Sequence, residues 1–132
     1  MTGDSGDELT DDAVLWRRVR PDEVVFDENL QRMRPKSQAF QNYPKREEMS
    51  VILASEIGFS TEIALGDAKD YLLVWFPVSL VRECGQDLIP AREEGPGHFH
   101  VKGKKSGTVK DKFAKRCDWV IPPKTNPSPS SR

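Results

Sequence analysis

The chain has 132 residues, two cysteines and 31% charged side chains, a length that supports one domain with a single core and no need of disulfide or metal staples. No stretch approaches the roughly 18 apolar residues of a membrane span, and the acidic start lacks the basic and apolar regions of a secretory leader. Membrane and exported classes are therefore set aside, and with so few cysteines a reducing, cytoplasmic location is expected.

The net charge of −1 hides a lopsided distribution. Residues 1–12 carry five acids and no base, whereas residues 100–132 carry nine bases against two acids. The acidic start and the Pro/Ser-rich segment 121–132 bury too little apolar area to offset their ordering entropy, so both are expected as disordered tails around one domain at 13–120.

In chain order, 13–19 (AVLWRRV) reads as a strand with Leu15, Arg17 and Val19 on one face and Val14, Trp16 and Arg18 on the other. A short strand at 24–26 leads into a polar loop at 27–48, long for a small domain and therefore a candidate partner loop, with Arg34, Lys36 and Ser37 as its contact residues and Phe40 as its anchor. Segment 49–54 (MSVILA) reads as a buried strand, and Ser60 starts a helix that Gly66 cuts short. Segment 71–76 (YLLVWF) is the strongest strand, followed by a short helix at 80–84 and two strands at 87–89 and 98–102. The last element is an amphipathic helix: Val109, Phe113 and Cys117 recur at helical spacing with Val120 beyond, Lys110, Lys112, Lys115 and Arg116 face away, and Pro122-Pro123 closes it. These elements predict a small single α+β domain, a mixed or mainly antiparallel sheet with the C-terminal helix packed on one face.

Chemistry concentrates at 96–118. Lys104, Lys105, Ser106, Gly107 and Lys110 stand where a basic loop enters a helix, an arrangement suited to an anion. The loop fails the Walker pattern, which needs four residues between its first glycine and the Gly-Lys-Ser/Thr, so NTPase chemistry is not expected. His98 and His100 project to one side of a strand, half of a metal site, but no second Cys/His pair completes it; no metal and no cofactor are expected. At the other end, Arg17 or Arg18, then Ser50, then Glu56 or Glu62 echo the Arg, Ser/Thr, Glu order of ADP-ribosyltransferase folds, in which the arginine grips the dinucleotide phosphates.

Four blocks, LWRRVRP from Leu15, RPxSxAF from Arg34, MSVxLA from Met49 and PGHxxVxGKK from Pro96, resemble the recurring blocks of a family of small bacterial proteins with which no activity is associated. The resemblance spans residues 15–105 and implies an origin rather than a mechanism. In its last block the histidine matching His98 recurs, whereas the position of His100 is usually apolar.

The functional expectation is a non-enzymatic accessory protein that meets a protein or nucleic-acid partner through the 27–48 loop and the basic helix. The alternative is a small enzyme on a phosphate-containing substrate, nuclease-like or ADP-ribosyltransferase-like, with His98 as acid/base and Lys104, Lys105 and Arg17 or Arg18 as phosphate grips. Convergence of His98, the lysine loop and a first-strand arginine on one pocket separates the two.

Overall fold

Consecutive apolar residues in the central strands give the sheet two apolar faces, and the computed structural model, which describes residues 9–43 and 46–123, covers them unequally. The strands are β1 (Val14–Val19), β2 (Val24–Asp27), β3 (Arg32–Pro35), β4 (Glu48–Leu53), β5 (Leu72–Pro77), β6 (Asp87–Pro90), β7 (His98–Lys102) and β8 (Asp118–Ile121). The helices are α1 (Thr61–Leu65), α2 (Val78–Glu83) and α3 (Gly107–Arg116), with 3-10 turns at Ser37–Phe40, Ala54–Ile57 and Arg92–Glu94. Six strands form one sheet in the order β6-β7-β4-β1-β5-β8, every pairing antiparallel, and β2 and β3 form a separate hairpin. The expected α+β class is what the structure has.

The main core lies on the face that receives Leu15, Val19, Met49, Val51, Val74, Phe76, Phe99 and Val101, closed by α3 and the Ser37–Phe40 turn. Phe113 of α3 stacks on Phe40 with ring centroids 5.7 Å apart and leans on Phe76 at 5.0 Å. The opposite face carries a smaller cluster of Trp16, Ile52, Ala54, Ile57, Ala64 and Leu73 under α1 and the turn before it. That thin cover leaves Trp75 and Phe59 partly in solvent, with Phe59 edge-on to Trp16 at 6.0 Å.

Several expectations are corrected. The last helix ends at Arg116, and the chain turns back at Cys117 into β8, because Trp119, Val120 and Ile121 favour a strand and find an open edge on β5. Cys117 is buried as expected, but Val109, Lys110 and Lys112 are all half-buried, so the helix is less cleanly divided than its spacing implies. The 27–48 segment is not one loop: Asp27 accepts from Leu30 N at 3.0 Å, Gln31 takes a left-handed φ of 57°, and the β2–β3 hairpin follows. Residues 9–12 of the acidic start are docked on α2, with Ser79 N donating to Asp11 O at 2.8 Å and Arg82 reaching Asp11 Oδ1 at 2.6 Å. Residues 1–8 and 124–132, the rest of the expected tails, lie outside the described residues. No helix among the described residues is long and apolar enough to cross a membrane.

Candidate functional site

Strand β1 pairs with β5 along its whole length, Val14 to Val19, but with β4 only at Leu15↔Leu53 and Trp16↔Ile52. Strand β4 in turn stays with β7 from Glu48 to Ile52. Beyond Trp16 the sheet therefore forks between its two central strands, and strand backbone in the fork must find hydrogen bonds elsewhere.

Arg17 fills the fork. Its Nε donates to Ala39 O at 2.8 Å and its Nη1 to Ser50 O at 2.7 Å, so the guanidinium bridges the turn before β4 to β4 itself. Among the described residues no carboxylate lies within ion-pair distance of it, and Nη2 has no partner. Loss of water lowers the Arg17 pKa to about 10, against which the nearby Tyr43 and Glu23 act weakly. A guanidinium held this way has Glu23 near but no ion pair, an arrangement that costs stability unless an anion comes to it.

The fork opens into a cleft of about 400 Å³ lined by Trp16, Arg17, Arg18, Arg20, Glu23, Gln38, Asn42, Tyr43, Ser50, Tyr71 and His98, among others. That volume suits a small ligand. Arg18 enters from the face opposite Arg17 and is pinned through Nε to Ala64 O at 2.8 Å, again with no carboxylate partner among the described residues. His98, at the start of β7 and opposite Ile52, packs its ring on Gly95, where a Cβ would come within 3.0 Å of the imidazole. Its Nδ1 is buried with no hydrogen-bond partner among the described residues, and burial, then Arg18, lower its pKa below the ordinary histidine value. Tyr43 and Ser50 share a hydrogen bond at 2.7 Å on the far wall.

The sequence-predicted residues divide. His98, Arg17, Arg18 and Ser50 meet in the cleft. Glu56 and Glu62 do not, Glu56 being paired with Arg92, and the acid that lines the cleft is Glu23. His100 points to the same side of the sheet as His98, but its Nδ1 faces Glu48 at 3.1 Å and its Nε2 faces Glu94 at 3.0 Å. Among the described residues no group of three or more His, Cys, Asp or Glu is placed to hold a metal.

The expected anion loop is not assembled. Lys105 turns inward and donates to Asn42 Oδ1, Val101 O and Gly103 O at 2.6, 2.9 and 3.0 Å, while Lys104 stays in solvent. The Ser106 hydroxyl is taken up in capping α3, accepting from Val109 N at 3.2 Å, and Gly107 and Lys110 lie in the first turn of that helix. On the same helix Lys112 and Arg116 pair with Glu83, which accounts for part of the basic face. The residues expected to contact a partner also have internal roles: Arg34 is paired with buried Asp27 at 2.6 Å, and Ser37 donates to Asp111. Lys36 alone of the three is exposed.

Asn42, Tyr43, Glu23 and Tyr71 are cleft residues that the sequence does not announce. Glu23, Asn42 and Tyr43 lie in connections, where periodicity carries no signal, and Tyr71, expected as the first residue of the 71–76 strand, stands just before β5 begins at Leu72. Comparison with protein-family models, curated proteins and solved structures finds no match to the chain.

Proposed function

We propose that the protein is a small enzyme of nucleotide chemistry, in which the forked sheet binds the diphosphate of a nucleotide and His98 takes the proton of a water that attacks one of its phosphorus atoms, as the bond from that phosphorus to the bridging oxygen breaks and the other phosphate leaves with the electron pair. The observation that carries this reading is Arg17: a guanidinium fixed at two nitrogens by backbone carbonyls, with no carboxylate at ion-pair distance among the described residues, in the wall of a cleft. Planar, pre-oriented guanidinium is the side chain best suited to phosphate oxygens. Arg18 supplies a second guanidinium without a carboxylate to the same cleft, so a ligand with two adjacent anionic groups fits better than one with a single charge. Tyr43 and Tyr71 supply aromatic surface for a base or ribose. His98, with its pKa lowered, is neutral at pH 7 and so is ready to accept a proton. The partner-binding alternative draws less support, because Lys105, Lys112, Arg116, Arg34 and Ser37 are already engaged within the chain.

Titration calorimetry with ADP-ribose tests it. The parent is expected to bind, and Arg17→Gln to weaken binding at least about tenfold, the loss of roughly one charge-assisted hydrogen bond. Arg17→Lys is expected not to restore it, since an ammonium cannot hold both carbonyls and a phosphate in one plane. His98→Gln should keep the affinity and lose turnover. Absence of binding to the parent, or an Arg17→Gln variant that melts like the parent and binds equally well, overturns the reading.

A further inference from the structure

Lys105 is a half-buried lysine that pairs with no carboxylate among the described residues, and its ammonium uses all three of its donors on Asn42 Oδ1, Val101 O and Gly103 O. Asn42 answers by donating its own Nδ2 to Gly103 O at 3.0 Å. The amine therefore ties the wall of the cleft at Asn42 to the end of β7, without presenting itself to a ligand. Gly103 is held from the other side: its φ is 143°, and the Gln86 side chain lies where a Cβ would be, while Gln86 Nε2 donates to Lys104 O at 3.0 Å. The backbone that Lys105 grips is thus itself fixed, so the amine cannot let go of one acceptor without loosening the Asn42 wall.

We propose that Lys105 is a proton-linked positioning residue of the diphosphate cleft: its ammonium braces the Asn42 wall and adds a positive charge behind Arg17, so that anion binding and protonation of this amine favour each other. The inference rests on the nucleotide reading above and adds a regulation to it. The charged groups around the amine are Arg17 on β1, which opposes its charge, and Glu47 and Glu48, just before and at the start of β4, which support it; Glu48 is shared with His100 and, at 4.0 Å, with Lys102 of β7. Burial first, and Arg17 second, lower the Lys105 pKa from its ordinary value to about 8. The sign follows. Below about pH 8 the ammonium is present, the wall is braced and the field at Arg17 is most positive; above it the proton is lost and both effects fade. An anion seated at Arg17 relieves the repulsion between the two cations, which raises the amine's pKa, and by reciprocity protonation of the amine tightens the anion.

The test is ADP-ribose affinity from about pH 7 to pH 9, a range that stays below the Arg17 pKa of about 10, lies above the lowered pKa of His98 and leaves the charge of the diphosphate constant. The parent is expected to lose about fivefold in affinity across it, the change that corresponds to a rise of about one unit in the amine's pKa on binding, from its value of about 8. Lys105→Met should bind weakly at pH 7 and with little slope, and Lys105→Arg, which keeps its charge throughout, should lose the slope while retaining tighter binding than Lys105→Met. Because Lys105→Met removes three hydrogen bonds, its thermal melt is recorded beside that of Lys105→Arg, and the slope of whichever variant is folded decides. A parent that binds equally well at both pH values, or a folded variant that keeps the parent's slope, overturns the role of Lys105 and leaves the Arg17 reading standing. A parent that binds at no pH overturns both.

Discussion

Phe113 shows how far a single residue can be followed from the sequence. Its position in the i, i+4, i+8 series with Val109 and Cys117 marks it as the centre of the helix's apolar stripe, and it is fully buried against Phe40 and Phe76. Truncation there leaves a void that the neighbouring rings and the sheet cannot collapse to fill, so Phe113→Ala is expected to cost about 3–5 kcal/mol in a urea melt. A loss under about 1 kcal/mol would mean that α3 does not close the core. The same stripe logic misplaces Lys110 and Lys112, which are half-buried, because long aliphatic stems lie along apolar surface while their heads reach water. Lys105 misleads for a related reason: in the sequence a lysine in a glycine-flanked loop looks like an exposed charge, and only the fold reveals the three carbonyl-type acceptors waiting inside.

At the scale of elements, what is legible in the sequence is the set of strands with a strong apolar pattern, alternating or continuous. Strands β1, β4, β5 and β7 can be read within about a residue of their bounds, β1 and β7 from alternation and β4 and β5 from short continuous apolar runs that mark buried central strands. Strands β3 and β8 escape such a reading. Strand β3 is RMRP, with two charged residues among four, and owes its existence to the turn that Asp27 organises and to the Arg34–Asp27 pair, neither of which has a periodic signature. Strand β8 continues the apolar series of α3, so helix and strand compete for the same residues until tertiary pairing with β5 decides. The helix itself is defined at both ends by identifiable groups. Ser106 caps its start, and Arg32 Nη2, donating to Lys115 O and Cys117 O at 3.2 and 3.0 Å, satisfies carbonyls at its end. Ser106→Ala is expected to destabilise the protein by about 1 kcal/mol, and Ser106→Asp to keep the cap, since a carboxylate accepts the same bond and complements the helix dipole. Equal melting temperatures for all three proteins would show that the cap contributes nothing.

For the molecule as a whole, the candidate site is legible as residue types but not as a place. Arg17, Arg18, Ser50 and His98 each stand out in the sequence, yet their meeting depends on strand order: β4 is the neighbour of both β1 and β7, so residues 17, 50 and 98 come together across three strands although long stretches of chain separate each from the next. No spacing rule reports a sheet order of that kind. The fork has one more consequence, concerning solubility rather than ligands. A fully zipped sheet of six strands has two free edges, whereas this one has inner margins as well, on β1 beyond Trp16 and on β4 before Ile52, and unpaired strand margins are templates for intruding chains. An inward-pointing charge is a known deterrent to such intrusion, and Arg17 stands in the opening with its guanidinium across it. Arg17→Val, which adds strand propensity as it removes the charge, is therefore expected to yield a protein that self-associates with rising concentration, and Arg17→Gln, which only removes the charge, to do so less. Light scattering over a dilution series distinguishes them, with the parent as the reference: if parent and Arg17→Val scatter alike, the open seam in the sheet needs no guard.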